Sequence, residues 1–249
     1  MTLLATHPVG LDVVQAVRRY RRLSSLLART AVHYAVRADP HPELLEALAE
    51  AQCKFDVTDA GEVGSCLAAG ATPDDLVFSA AGSARDDLCA AAGLGVHLFV
   101  VSSPEDVCNV ALAAPGSSVL YRSVSAGHAA GRRVARSLDR SSQQAVLALR
   151  QAAASGLEAA GLSWRVGAQR RDPHAWRAPI SASARTFTEL RAEGLRPWVL
   201  DLGGGLLAAR EDGTPPLALY AASIDRALHQ EFGVARPRTL VSAGRALVG

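Results

Sequence analysis

The feature that most constrains this chain is an alternation. Short apolar runs rich in β-branched residues occur eight times, at Ala31–Val36, Phe55–Val57, Leu76–Ser79, Val96–Val101, Ser118–Arg122, Ser163–Val166, Trp198–Leu202 and Thr239–Ser242. A segment with helical spacing precedes each run. The first spans Leu11–Arg29, where Val13, Val17, Tyr20, Leu23 and Leu27 form one apolar stripe. Arg18, Arg19, Arg21 and Arg22 fall off that stripe, as a solvated face or a contact for an acidic partner. Pro40 and Pro42 open the second segment, whose apolar face is Leu44, Leu45 and Leu48, and Asp59-Ala60-Gly61-Glu62 opens the third in capping-box form. Helices are also expected near Ala84–Ala92, from Ser103-Pro104, over Gln143–Ala160, over most of Pro173–Glu193 and over Pro215–Phe232. Ser123–Arg140, rich in Ser, Gly, Ala and Arg, reads as a long loop.

Strict alternation of helix and strand implies parallel pairing with right-handed crossovers. Eight repeats predict an α/β protein folded as a closed (β/α)8 TIM barrel rather than an open sheet. The order begins with a helix and ends with a strand, so the first helix is expected to fill the slot of a helix after the eighth strand. On this reading residues 1–249 form one barrel domain without a linker.

Composition narrows the class. Of 249 residues 49% are hydrophobic and 20% charged, which suits a packed globule and not a disordered chain. A net charge of +2 does not point to nucleic acid. Apolar runs fall short of the roughly 18 residues of a membrane span, and Met1–Gly10 lacks the pattern of a signal peptide. The expectation is therefore a cytoplasmic protein with no membrane partner. Among 26 basic residues the one lysine is Lys54, so any chemistry needing a lysine amine has a single candidate. Cys53, Cys66, Cys89 and Cys108 show no pairing or zinc spacing and read as small core residues; no metal site is expected.

In such a barrel the active site lies at the C-terminal ends of the strands, and the loops after strands seven and eight often hold phosphate. Here those loops carry Gly203-Gly204-Gly205 and Gly244-Arg245. Glycines let backbone N–H groups approach phosphate oxygens, and an arginine adds a charge-assisted bond. A tight turn accounts for three glycines as well; the second segment on the adjacent strand favours phosphate.

Several stretches are similar, in order, to the motifs of the fold-type III pyridoxal-phosphate (PLP) decarboxylases, which act on ornithine, lysine, arginine or diaminopimelate. Tyr34-Ala35-Val36-Arg37-Ala38-Asp39-Pro40 resembles their Y-A-V-K-A-N-P, and Phe55-Asp56-Val57-Thr58-Asp59-Ala60-Gly61-Glu62 their F-D-V-A-S-x-G-E. Trp164-Arg165-Val166-Gly167-Ala168-Gln169 resembles F-H-V-G-S-Q, with Asp172-Pro173 following at the family's spacing. Leu200-Asp201-Leu202-Gly203-Gly204-Gly205 matches L-D-[LI]-G-G-G, and Ser242-Ala243-Gly244-Arg245 resembles E-P-G-R. The resemblance, closest to ornithine decarboxylase, runs from about residue 11 to 249. It implies the barrel of the alanine racemase/ornithine decarboxylase type, with Gly203, Gly204, Gly205, Gly244, Arg245, Asp56, Glu62 and Arg122 near the cofactor. Structural roles serve the last three equally well: Asp56 and Glu62 as cap or ion-pair partners, Arg122 as a partner of either.

The departures bear on activity. The family's Schiff-base lysine is Arg37 here, and a guanidinium stays protonated and is no amine nucleophile. Lys54 precedes the second strand and is expected at the opposite end of the barrel. The glutamate that meets the pyridinium nitrogen is Ser242, the ring-stacking histidine is Arg165, and a phosphate-binding serine is Ala168. Family members also carry a C-terminal β-domain that completes the site across a dimer interface; the expectation is that this chain, reaching only Gly249, lacks it. The resulting expectation is a non-catalytic homologue that binds PLP at most non-covalently, or binds none, and acts as a homodimer or with a full-length relative. The alternatives are an amino-acid decarboxylase of the ornithine or diaminopimelate type completed by a second subunit, and a barrel enzyme with altered chemistry.

Overall fold

A computed structural model describes residues 12–124, 132–167, 170–206 and 215–249. Its strands follow chain order around a closed, wholly parallel barrel: β1 (Thr30–Ala35), β2 (Lys54–Val57), β3 (Leu76–Ser79), β4 (Leu98–Val101), β5 (Ser118–Val124), β6 (Glu158–Arg165), β7 (Val199–Asp201) and β8 (Arg238–Ala243). Closure is made by β1 against β8, from Thr30 opposite Thr239 to Tyr34 opposite Ala243, with the two threonine hydroxyls 2.8 Å apart. The chain is thus a (β/α)8 TIM barrel. The helices are α1 (Val13–Leu26), α2 (Pro42–Glu50), α3 (Ala60–Ala68), α4 (Arg85–Gly93), α5 (Pro104–Ala113), α6 (Arg132–Ala154), α7 (Arg177–Ala192), α8 (Leu217–Phe232) and the one-turn α9 (Arg245–Val248). As expected, α1 fills the gap in the outer ring, packing against α2, α8 and α9. No described helix is long and apolar enough to cross a membrane.

Two apolar layers hold the barrel. The larger lies between strands and helices, built from outward strand residues such as Tyr34, Phe55, Phe78, Phe99 and Trp164 and from helix faces including Leu44, Leu45 and Leu48. The smaller plugs the barrel interior with Val77, Leu98, Val100, Leu120, Ala160, Val199 and Leu240. Side chains two residues apart on a strand share a face. The inward positions one step above this plug are therefore Ser79 after Val77, Arg122 after Leu120, Asp201 after Val199 and Ser242 after Leu240. Every one of these four is polar, so the barrel changes from oil to charge within one layer, about 7 Å along the strands.

Local chemistry sets most element ends. Pro42 occupies the first turn of α2, and Pro104 that of α5, where Ser103 and Asp106 form a reciprocal capping box. At α3 only half the expected box forms: the Asp59 carboxylate accepts from Glu62 N at 2.8 Å, but the Glu62 carboxylate turns to Thr58 N and Oγ1, at 2.6 and 3.0 Å.

The expected loop over Ser123–Arg140 is corrected. Residue 124 still belongs to β5, and α6 begins at Arg132; residues 125–131 of that stretch lie outside the described residues. Its small and basic residues hid a helix, on which Leu138 is buried. The helix expected to run to Ala160 ends at Ala154, because Gly156 adopts φ +80° and Leu157 N bonds back to Ala152 O; residues 158–160 then open β6. Two cysteine assignments are also corrected. Cys53 and Cys66 are buried, but Cys89 and Cys108 sit on the exposed sides of α4 and α5. On α1, Arg18, Arg21 and Arg22 are exposed as expected, whereas Arg19 donates at 2.8 Å to the carbonyls of Leu247 and Gly249, tying α1 to α9.

Candidate functional site

At the C-terminal ends of the strands the polar layer opens into a cavity of about 630 Å³. Its wall includes Arg37, Asp56, Arg122, Arg165, Asp201 and Ser242, with the glycine segments 203–205 and 244. Four guanidiniums, those of Arg37, Arg122, Arg165 and Arg245, face two carboxylates. The cavity therefore has a net positive charge and suits an anion.

A hydrogen-bonded chain crosses the floor. Arg37, in the turn after β1, reaches Asp56 Oδ2 with Nη1 at 3.2 Å. The Asp56 carboxylate also accepts from Ser79 Oγ at 3.0 Å, and Ser79 Oγ accepts from Arg122 Nη2 at 2.9 Å. Arg122 Nε is 3.4 Å from Ser163 Oγ, which donates to Asp201 Oδ2 at 2.5 Å. The second Asp201 oxygen accepts from Gly203 N at 2.7 Å. Five strands are joined by this chain, and each of its buried carboxylates and hydroxyls finds a partner, as burial requires.

Burial shifts the titrations. The Asp201 carboxyl, fully enclosed, is pushed up to about 6, although the bonds from Ser163 and Gly203 and the charge of Arg122 work against the rise. Directly opposite Ser242 in the β1–β8 pairing, His33 is buried and its imidazole is pushed down to about 4, mainly by desolvation. Glu62 is raised, also by desolvation, despite its bonds from Thr58.

The glycine segment after β7 is fixed by its surroundings. Gly203 has φ +69°, and a Cβ there would lie 1.8 Å from the Trp164 carbonyl oxygen. Trp176 Nε1 donates to Leu202 O at 3.0 Å, and Arg170 N to Gly205 O at 2.8 Å, so the loop after β6 braces this segment. The Gly203 amide is committed to Asp201, whereas those of Gly204, Gly205 and Gly244 have no partner among the described residues. Close chain passage at Gly203 and open amides beyond it make a cradle for an anion at the ends of β7 and β8.

The sequence matches the family of the pyridoxal-dependent decarboxylase, pyridoxal binding domain, over residues 13–249. This chain belongs to that family. It is 28% identical over 242 residues to a lysine/ornithine decarboxylase of Selenomonas ruminantium, covering 96% of this chain and 60% of the relative. It is 30% identical over 245 residues to a diaminopimelate decarboxylase of Pseudomonas aeruginosa, covering 92% and 58%. Among solved structures, an SrLDC variant in complex with PLP superposes with a TM-score of 0.83 at 26% identity, covering 96% of this chain and 62% of that one. The chain thus spans about three-fifths of the length of these proteins.

Within this pyridoxal-binding barrel, the residues singled out from sequence divide clearly. Arg37, Asp56, Arg122, Arg165, Gly203, Gly204, Gly205, Ser242, Gly244 and Arg245 all meet at the one cavity. Glu62 does not: it is no part of the wall and caps the turn before α3 instead. Arg122 forms an ion pair with neither Asp56 nor Glu62 among the described residues; its guanidinium reaches Asp56 through the Ser79 hydroxyl, because β3 and β4 stand between their strands. Ala168 and Gln169 lie outside the described residues. Lys54 is at the other end of the barrel, as expected, with Nζ 2.7 Å from Asp75 Oδ1. Missed from sequence were Asp201, Ser79 and Ser163, which complete the floor. The signal was present, since Asp201 interrupts an apolar strand run and Ser79 and Ser163 stand at the ends of two others.

Proposed function

We propose that this chain is a non-catalytic, cytoplasmic member of the family that holds a phosphate-bearing ligand of the PLP class without covalent attachment. What supports the reading best is the position of its cations. The chain's one lysine amine is engaged with Asp75 at the far end of the barrel, while the residue presented after β1 is Arg37, paired with Asp56.

The cavity fits one half of the cofactor and not the other. The open amides of Gly204, Gly205 and Gly244 together with Arg245 suit the phosphate. Bound as a Schiff base, PLP supplies an electron sink to the carbon of an amino acid, and no amine lines this cavity to anchor it. At the end of β8, Ser242 offers a neutral hydroxyl where an ionised partner would be needed to hold a protonated ring nitrogen. For partners, we propose a homodimer or a complex with a full-length relative, with the exposed Arg18, Arg21 and Arg22 as a contact for acidic groups.

The test is spectroscopic. Protein mixed with PLP should show no band near about 420 nm and no ring label after borohydride, because the nucleophile is missing. Dialysis should still retain PLP, with inorganic phosphate competing. A borohydride-fixed adduct at Lys54 would overturn the non-covalent reading, and absence of retention would overturn the phosphate seat. Arg37→Lys should gain a covalent adduct without gaining turnover of ornithine or lysine; turnover would show the loss of activity to be wrongly inferred.

A further inference from the structure

The phosphate seat at the ends of β7 and β8 accounts for Arg245 but leaves other cations on the wall unused. In the closed barrel, Arg165 at the end of β6, the glycines after β7, Arg245 after β8 and Arg37 after β1 occupy four consecutive strands. The seat is therefore flanked by a guanidinium on each side. Charge pairing within the protein is incomplete along this arc. Arg37 gives one nitrogen, Nη1, to Asp56 at 3.2 Å, and its side chain remains 51% exposed, against 5% for Asp56. Arg122 is taken up by Ser79 and Ser163 on the floor and by the charge of Asp201. Arg165 and Arg245 have no hydrogen-bond or ion-pair partner among the described residues. One phosphate satisfies Arg245, and Arg165 is left facing the same cavity with nothing to neutralise it.

We propose that the cavity selects organic phosphates that carry a second anionic group, a carboxylate, held by Arg165. The proposal rests on the phosphate seat put forward above and adds to it the class of ligand. Guanidinium suits this role better than an amine, since it is always charged and presents a fork matched to a carboxylate. A volume of about 630 Å³ leaves room for a ring or short chain between the two anionic ends.

Two probes separate the seat from the second subsite. Pyridoxine 5′-phosphate and 4-pyridoxic acid 5′-phosphate share ring and phosphate, and differ in a hydroxymethyl against a carboxylate. Calorimetric titration of the whole chain in 0.15 M salt should give roughly tenfold or greater preference for the acid, the size of one charge-assisted contact. Arg165→Gln should weaken binding of the acid far more than that of the alcohol, bringing the ratio toward one, and Arg165→Lys should restore part of it. Arg165 is exposed on the cavity wall, and thermal melts of each variant verify folding. Equal binding of the two probes, or a preference untouched by Arg165→Gln, overturns the second subsite while leaving the phosphate seat intact. Failure of both probes to bind overturns the seat and the subsite together.

Discussion

Arg122→Met is the most searching test of the polar floor, because its cost should depend on pH in a direction the structure fixes. In the folded protein Asp201 titrates at about 6 against an ordinary 3.8. A raised acid pKa means that the folded state binds more protons between these values. The contribution of Asp201 to stability is therefore complete below about pH 3.8 and is lost as pH rises through 6. That loss is about 3 kcal/mol at about 1.4 kcal/mol per unit. Arg122 limits it by attracting the carboxylate. Without Arg122 the folded pKa of Asp201 moves higher still, and the loss continues above pH 6. At pH 5 Asp201 is mostly protonated with or without Arg122, so the substitution removes chiefly the bonds to Ser79 and Ser163, about 1–2 kcal/mol. At pH 8 it also removes the charge of Arg122 from the ionised Asp201 carboxylate, which keeps its bonds from Ser163 and Gly203, so the cost should exceed that at pH 5 by about 1.4 kcal/mol for each unit by which the Asp201 pKa rises.

Urea unfolding of parent and variant at both pH values reads the difference directly. His33 titrates at about 4 against 6.5 and pulls the other way, its contribution being lost as pH falls from 6.5 through 4. It is common to both proteins and cancels. Adding Asp201→Asn to Arg122→Met should recover much of the loss at pH 8 and little at pH 5. An equal cost at the two pH values, or no recovery by the second change, would refute the account of the floor as a charge-compensated network.

Two further outcomes follow from the same geometry. Gly203→Ala should destabilise by about 3 kcal/mol or more, since the new Cβ must displace the Trp164 carbonyl from 1.8 Å at a left-handed φ, and Gly204→Ala, whose Cβ would stand 3.3 Å from Ser242 O, should lower the melting temperature much less; similar losses would contradict the tight passage at Gly203. For association, sedimentation at micromolar concentration should show a homodimer, or a complex when a full-length decarboxylase is added, and a well-behaved monomer in both would dismiss the partner proposal.

Sequence alone determined the architecture. Eight alternations of strand and helix leave few topologies, and handedness and short connections leave one closed barrel with its functional end known in advance. The cavity residues were legible for the same reason: Arg37, Gly203 and Arg245 follow strands directly, where every loop opens to one rim. Boundaries were less legible where basic and small residues obscure a helical repeat, as in the first turns of α6, or where one glycine ends a helix, as at Gly156. Only tertiary structure decided how the polar side chains pair. Asp201 and Ser163 are 38 residues apart and Arg122 and Ser79 are 43 apart, and they meet because the strand register stacks them in one layer above the apolar plug. Glu62 and Asp56, only six positions apart in one motif, part company there: inward geometry takes Asp56 into the barrel, while the start of α3 claims Glu62 for its own backbone. Local pattern is written in neighbouring residues, but partnership across a barrel depends on register and stagger, which exist only once the sheet has closed.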